Sequence, residues 1–183
     1  MVVGRLFVAV PLTDEARHGL VARLSDTGVE VPGKAVPPEN WHLTIRFLGQ
    51  TDEVTYDKVV ASLAEAELGE AFGISFTVLG AFPKPRRAAV LWVAVGDGAE
   101  PLKELAGEVE VALETAGFPP EDRPFRGHLT LARVRPRESV EVIVDGTPSL
   151  DVRMPVDRVV VYRSHLGRPS ATYEELESFP LRT

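Results

Sequence analysis

Apolar residues recur along this chain at two periods, two in some stretches and close to 3.6 in others, which predict strands and helices respectively. Residues 5–10 alternate as a strand. Thr13 then stands where a helix cap belongs, ahead of an acidic first turn (Asp14, Glu15) and apolar positions at Leu20, Val21 and Leu24. Val31-Pro32-Gly33 to Pro37-Pro38 is punctuated as a loop, and Asn40-Trp41 leads into a strand that ends at Gly49. Thr51-Asp52-Glu53 opens a second helix, with Val54, Val59, Val60, Leu63 and Ala64 on its apolar side as far as Gly69. Ile74, Phe76 and Val78 alternate, Pro83 and Pro85 mark a loop, and Ala88 to Val95 makes another strand. After the turn at Asp97-Gly98, Pro101 suits a first helical residue, and Leu102, Leu105, Val109, Leu113 and Ala116 form a stripe closed by Gly117. A proline-rich loop (Pro119, Pro120, Pro124) precedes a further strand that ends near Pro136. Beyond it come a poorly defined region, a run Val152 to Val156 broken by Pro155, a strand Arg158 to Arg163 and a last strand around Tyr173 to Leu181.

These elements lack a regular βαβ rhythm and a Gly-rich phosphate loop. They predict an α+β fold with largely antiparallel sheets. One pattern inside them is duplicated. His42-Leu43-Thr44-Ile45 returns as His128-Leu129-Thr130-Leu131, and 128 − 42 places the copies 86 residues apart. With four histidines in the chain, chance gives such a pair on the order of once in a hundred thousand. On a strand, His and Thr of each copy share one face, with Leu and the fourth residue on the other. The halves look loosely alike, and the picture is of two related lobes facing a groove.

Length and charge narrow the partners. A chain of 183 residues suits one compact unit, and we expect a single bilobal domain over 1–183. The absence of cysteine removes disulfides, thiolate nucleophiles and Cys-type zinc sites. The apolar start is short and stopped by Pro11, so no membrane segment is predicted and a cytoplasmic protein, a monomer, is expected. A net charge of −7 argues against coating nucleic acid by bulk electrostatics. Local basic clusters nonetheless occur at Lys84-Pro85-Arg86-Arg87 and along Arg123 to Arg137, the second surrounding a histidine copy.

Two His-Thr pairs converging on one small ligand suit in-line displacement at phosphorus. One imidazole takes a proton from the attacking oxygen and the other gives one to the leaving oxygen. Each Thr hydroxyl can donate to a non-bridging phosphate oxygen. Metal chemistry is disfavoured because no His-x-His or His-Glu-x-x-His spacing exists and neither motif histidine has a carboxylate within two positions. No Gly-x-Ser-x-Gly supports a serine triad. His18 reads as an exposed helix residue and His165 as structural or exposed.

The residues carry a resemblance as well. The paired His-x-Thr-x motifs resemble the 2H phosphoesterase superfamily, and the surrounding text resembles its RNA 2′,3′-cyclic phosphodiesterases, also called 2′-5′ RNA ligases. The carriers are Arg5 to Val10, Asn40 to Gly49, Val90-Leu91-Trp92, Phe125 to Arg133, and Val161 to Ser164 with Leu166 and Tyr173. Gly127 stands where the family often has Pro, and Ser170 replaces a frequent Gly. The resemblance implies a bilobal fold of two mainly antiparallel sheets with helices on their outer faces. It further implies opening of a terminal 2′,3′-cyclic phosphate on RNA or a small cyclic nucleotide to a 2′-phosphomonoester, without metal or other cofactor, and with reverse 2′-5′ ligation available. In that scheme His42 is the proton donor, His128 the acceptor, and Thr44 and Thr130 are phosphate-oxygen donors. By the period of two, Arg46 shares a face with His42, and Arg126 with His128, so both are candidate substrate contacts. Arg133 matches the family but falls on the opposite face of a regular strand. The alternative is a nucleotide- or RNA-end-binding module that keeps the groove without turnover.

Overall fold

The structure is a computed structural model that describes residues 2–183, so residue 1 of the expected 1–183 span lies outside the described residues. In chain order it contains β1 (Val2–Pro11), α1 (Asp14–Asp26), β2 (Lys34–Ala35), β3 (His42–Asp52), α2 (Glu53–Glu65), β4 (Phe72–Phe82) and β5 (Ala88–Val95). There follow α3 (Ala99–Thr115), β6 (His128–Glu138), α4 (Glu141–Gly146), β7 (Val152–Val156), β8 (Arg158–His165) and β9 (Thr172–Pro180). Thr13 caps α1 by accepting from the Ala16 amide, and Asp52 caps α2 by accepting from that of Thr55.

The strands form one antiparallel sheet in the order β7-β4-β5-β6-β3-β1-β8-β9, with β2 added beside β6. Its centre is the β3–β6 pair, joined where Leu43 faces Leu129. Outward from that pair the order is β3-β1-β8-β9 on one side and β6-β5-β4-β7 on the other. The units β1-α1-β3 and β5-α3-β6 correspond, and the expected α+β fold of two related lobes follows from their near-symmetry. Side-chain alternation separates the two faces. Leu6, Val8 and Val10 of β1 join Leu43, Leu91 and Leu129 in the core beneath α1, α2 and α3, which includes Leu20, Leu63, Leu105 and Val109. Phe7 and Ala9 point the other way and pack with Val160 and Tyr162 on the groove face.

Several boundaries differ from the sequence reading. β3 runs on to Asp52 instead of ending at Gly49, because Gly49, at φ 72, takes up a register shift against Leu6 that a side-chain-bearing residue would resist. Val21 and Val54, expected on apolar stripes, are exposed, and α2 stops at Glu65. α3 begins two residues before Pro101. The loop 31–38 contributes β2, β6 continues through Pro136, and α4 occupies part of the undefined region. Pro155 is accommodated in β7 because that strand is an edge with β4 as its neighbour.

Candidate active site

Each histidine copy opens a strand, and each imidazole is fixed by the chain just before it. His42 Nδ1 lies 2.8 Å from the Asn40 carbonyl oxygen, and His128 Nδ1 lies 2.7 Å from that of Arg126. A carbonyl only accepts, so Nδ1 carries the hydrogen and Nε2 is the acceptor of the neutral ring. Both rings line one groove of about 1160 Å³, together with Thr44 and Thr130. Continuing the Leu43–Leu129 register by one residue sets His42 opposite Thr130 and Thr44 opposite His128, a local two-fold arrangement. The Thr44 hydroxyl lies 2.9 Å from His42 Nε2, a hydrogen bond the second pair does not make among the described residues.

Burial lowers the pKa of both imidazoles. At His42 desolvation is the main cause, opposed by the Asn40 carbonyl and reinforced by the charges of His128 and Arg133. At His128 desolvation again dominates, opposed by the Arg126 carbonyl. The desolvating walls are aromatic. Phe7 lies 4.8 Å and Tyr173 5.2 Å from the His42 ring, while Phe82 at 5.1 Å and Trp92 at 6.1 Å flank His128. Trp92 lies across Gly80, where a Cβ would come 2.2 Å from the indole, so only glycine leaves room for it.

The arginines do not follow simple alternation, because both motif strands carry the same bulge. Ala9 pairs with Thr44 but Val8 with Arg46, and Trp92 pairs with Thr130 but Leu91 with Ala132, so Ile45 and Leu131 are the extra residues. The bulge turns Arg46 away from the histidine face. Its side chain is 8% exposed, donates to both Glu110 oxygens at 2.7 and 2.6 Å and to the Pro119 carbonyl at 2.7 Å, and lies 3.5 Å from Glu121. Arg46 still lines the groove, with its guanidinium held by Glu110, Glu121 and the Pro119 carbonyl. The same bulge brings Arg133 onto the groove face, against the expectation for a regular strand. Arg126 is exposed and lines the groove as well. Phe47, 86 residues before Arg133, holds the equivalent position on the other wall and is 66% exposed. His18 is exposed, and the exposed His165 pairs with Glu174 at 2.6 Å.

Sequence reasoning missed Glu110 and the aromatic walls. Glu110 has no motif around it, but the 86-residue offset between the copies pairs Phe47 with Arg133 and could have marked that position. Among the described residues no three His, Asp or Glu side chains gather as a metal's ligands would. No helix is long and apolar enough to cross a membrane.

Comparison with known proteins matches the 2′-5′ RNA ligase superfamily over residues 14–168. The chain belongs to that superfamily. Its relatives include the RNA 2′,3′-cyclic phosphodiesterase of Aeropyrum pernix, 41% identical over 128 residues, which are 69% of this chain and 72% of that protein. The enzyme of the same name from Methanothermobacter thermautotrophicus is 32% identical over 184 residues, 97% of this chain and 98% of that one. Among solved structures, TT0787 of Thermus thermophilus superposes at a TM-score of 0.79 and 31% identity, covering 97% of this chain and 98% of that one. LigT of E. coli, crystallised with 3′-AMP, reaches 0.82 at 23% identity over 98% and 99%, a likeness in fold. In this member of the superfamily the two histidine copies stand at the centre of the sheet, where the lobes meet.

Proposed function

We propose that the protein hydrolyses 2′,3′-cyclic phosphodiester ends of RNA to 2′-phosphomonoesters by acid-base catalysis between two histidines. The observation that carries this reading is the pair of imidazoles lining one groove whose Nδ1 hydrogens are held by backbone carbonyls, which leaves Nε2 as the proton-transfer atom of each, that of His42 meeting the Thr44 hydroxyl. His128 Nε2 accepts the proton of the attacking water as its oxygen bonds to phosphorus. His42 Nε2, protonated, gives its proton to the departing 3′ oxygen, so the P–O3′ bond breaks and the phosphate stays on O2′. Thr44 and Thr130 donate to the non-bridging oxygens, and Arg126 and Arg133 balance the phosphate charge. Which histidine is donor follows the family resemblance.

No metal or other cofactor enters this scheme. Glu121 is the one carboxylate among the residues lining the groove, and it lies 3.5 Å from the Arg46 guanidinium. We read the chain as one bilobal domain that acts as a cytoplasmic monomer, with 2′-5′ ligation as the same chemistry when a 5′ hydroxyl replaces water. A binding module without turnover is the weaker reading, because binding needs no proton donor opposite an acceptor.

The test is turnover of a 2′,3′-cyclic mononucleotide, with products separated from authentic 2′- and 3′-monophosphates. Wild type is expected to yield the 2′ isomer and to keep its rate after exhaustive EDTA treatment. His42→Ala and His128→Ala are each expected to lower kcat by roughly 10²- to 10⁴-fold. Near-wild-type turnover by either variant would refute the two-histidine mechanism, and a predominantly 3′ product would refute the assigned leaving oxygen. Loss of activity to EDTA, restored by a divalent cation, would replace the metal-free scheme.

A further inference from the structure

Two basic segments that stand far apart in the sequence meet at one end of the groove. The β5–β6 ladder pairs Ala88 with Glu138, which brings the turn Lys84 to Arg87 beside the end of β6. The Val140 amide donates to the Pro85 carbonyl at 2.8 Å, and Arg86 pairs with Glu141 at 2.9 Å, fastening the two segments together. Residues 84–87 and 133–141 hold Lys84, Arg86, Arg87, Arg133, Arg135 and Arg137 against Glu138 and Glu141. This end is continuous with the catalytic groove, whose lining includes Pro83 and Arg137 as well as His128.

The symmetry of the fold supplies a control. Residues 47–55 are the counterpart of 133–141 after the first histidine copy, and they contain no Lys or Arg but two carboxylates, Asp52 and Glu53. The positive charge therefore belongs to one lobe and is not required by the strand pattern. Lys84, Arg87, Arg135 and Arg137 are exposed and, among the described residues, form no ion pair, whereas Arg46, Arg153 and Arg163 elsewhere are matched by carboxylates. Clustered cations left unpaired on a chain of net charge −7 suit a polyanion from outside. At a strand rise of about 3.3 Å per residue, Arg133 and Arg137 are separated by about 13 Å along β6. One nucleotide does not cover that span.

We propose that the RNA strand behind the cyclic end leaves the catalytic groove over the far end of β6, with its phosphates on Lys84, Arg87, Arg135 and Arg137. The strand exits over one lobe only, and a polymer is preferred to a mononucleotide for that reason. This rests on the reading of the groove as a site for a cyclic RNA end, so the experiment separates the two.

The triple variant Lys84→Ala/Arg87→Ala/Arg135→Ala is compared with wild type and with Arg23→Ala, which removes an exposed cation of α1. Each is assayed for kcat/KM on a 2′,3′-cyclic mononucleotide and on an eight-nucleotide single-stranded RNA with the same end, across a salt series. Binding of a fluorescent eight-nucleotide RNA with a 2′-phosphate end is followed by anisotropy in parallel. The triple variant is expected to lose roughly fivefold or more on the oligonucleotide, with a salt slope flatter by about 0.7 per cation removed. Its mononucleotide rate and the Arg23→Ala protein should be unchanged. Equal oligonucleotide affinity and salt slope in wild type and triple variant would overturn the track. If wild type turns over neither substrate, the catalytic reading fails, and the anisotropy arm still decides whether the basic end holds the strand.

Discussion

Arg46 and Glu110 form a largely buried ion pair beside the site. Arg46 is 8% and Glu110 24% exposed, and the Glu121 amide also donates to Glu110 at 3.3 Å, so the pair ties β3 to α3 and to the loop that delivers His128. Removing one partner strands the other charge in a partly dehydrated place. Arg46→Met should destabilise the fold by about 2–3 kcal/mol in urea unfolding, below the range for fully buried pairs because Glu110 keeps some water. The double variant Arg46→Met/Glu110→Met should recover much of that loss, and a double loss equal to the sum of the singles would show that the two do not interact. Thr44 is a different case, since the one hydrogen bond of its hydroxyl among the described residues is to His42 Nε2 at 2.9 Å. Thr44→Val should lower kcat by roughly 10- to 10³-fold with unfolding unchanged, while Thr44→Ser keeps most of the rate. A Val variant as active as wild type would remove Thr44 from the mechanism.

At the level of elements, the sequence displays most strands and helices but not the bulges. The stripe Leu102, Leu105, Val109 and Leu113 buries as its period predicts, and His-x-Thr alternation correctly puts both pairs on the groove. Whether Arg46 or Phe47 follows Thr44 on that face depends on how many residues of β1 oppose them, which local sequence does not encode. The repeated bulge at Ile45 and Leu131 therefore reverses the placement of Arg46 and Arg133. Short elements escape for another reason: β2 has two residues and α4 six, less than either period needs to register. The Trp92–Gly80 contact is equally silent in sequence, because the two residues meet only through the β4–β5 register. Gly80→Ala puts a Cβ 2.2 Å from the indole, which must then shift towards Phe82 and His128. We expect a loss of about 1–3 kcal/mol in unfolding and a change in Trp92 fluorescence. Unchanged stability and emission would mean that the indole has another resting place.

At the scale of the whole molecule, the near-symmetry that unites the lobes also couples the two titrations. Both imidazoles are partly buried where the lobes meet, so both pKa values fall below the ordinary histidine value of about 6.5, chiefly by desolvation. Catalysis needs one proton shared by the pair, and the limbs of the profile belong to the pair as a unit. In the free enzyme that last proton is lost below about pH 6.5, so kcat/KM should already be declining as pH rises through neutrality. A bound phosphodiester anion favours the imidazolium, which should move the basic limb of kcat to higher pH than that of kcat/KM. Stability has the opposite slope on the acid side. A histidine whose folded pKa is depressed binds fewer protons folded than unfolded between the two values, so its contribution is complete above about pH 6.5 and is lost as pH falls through the folded pKa values. Activity per site should thus rise with acid over a window in which the melting temperature falls. His42→Ala and His128→Ala should each flatten the stability curve there. Steady-state kinetics and thermal unfolding over about pH 4–9 read both effects, with the ordinary histidine value inside that window. A kcat/KM basic limb above about pH 7.5 would mean that burial does not control these imidazoles, and the groove's aromatic walls would then have some other task than drying them.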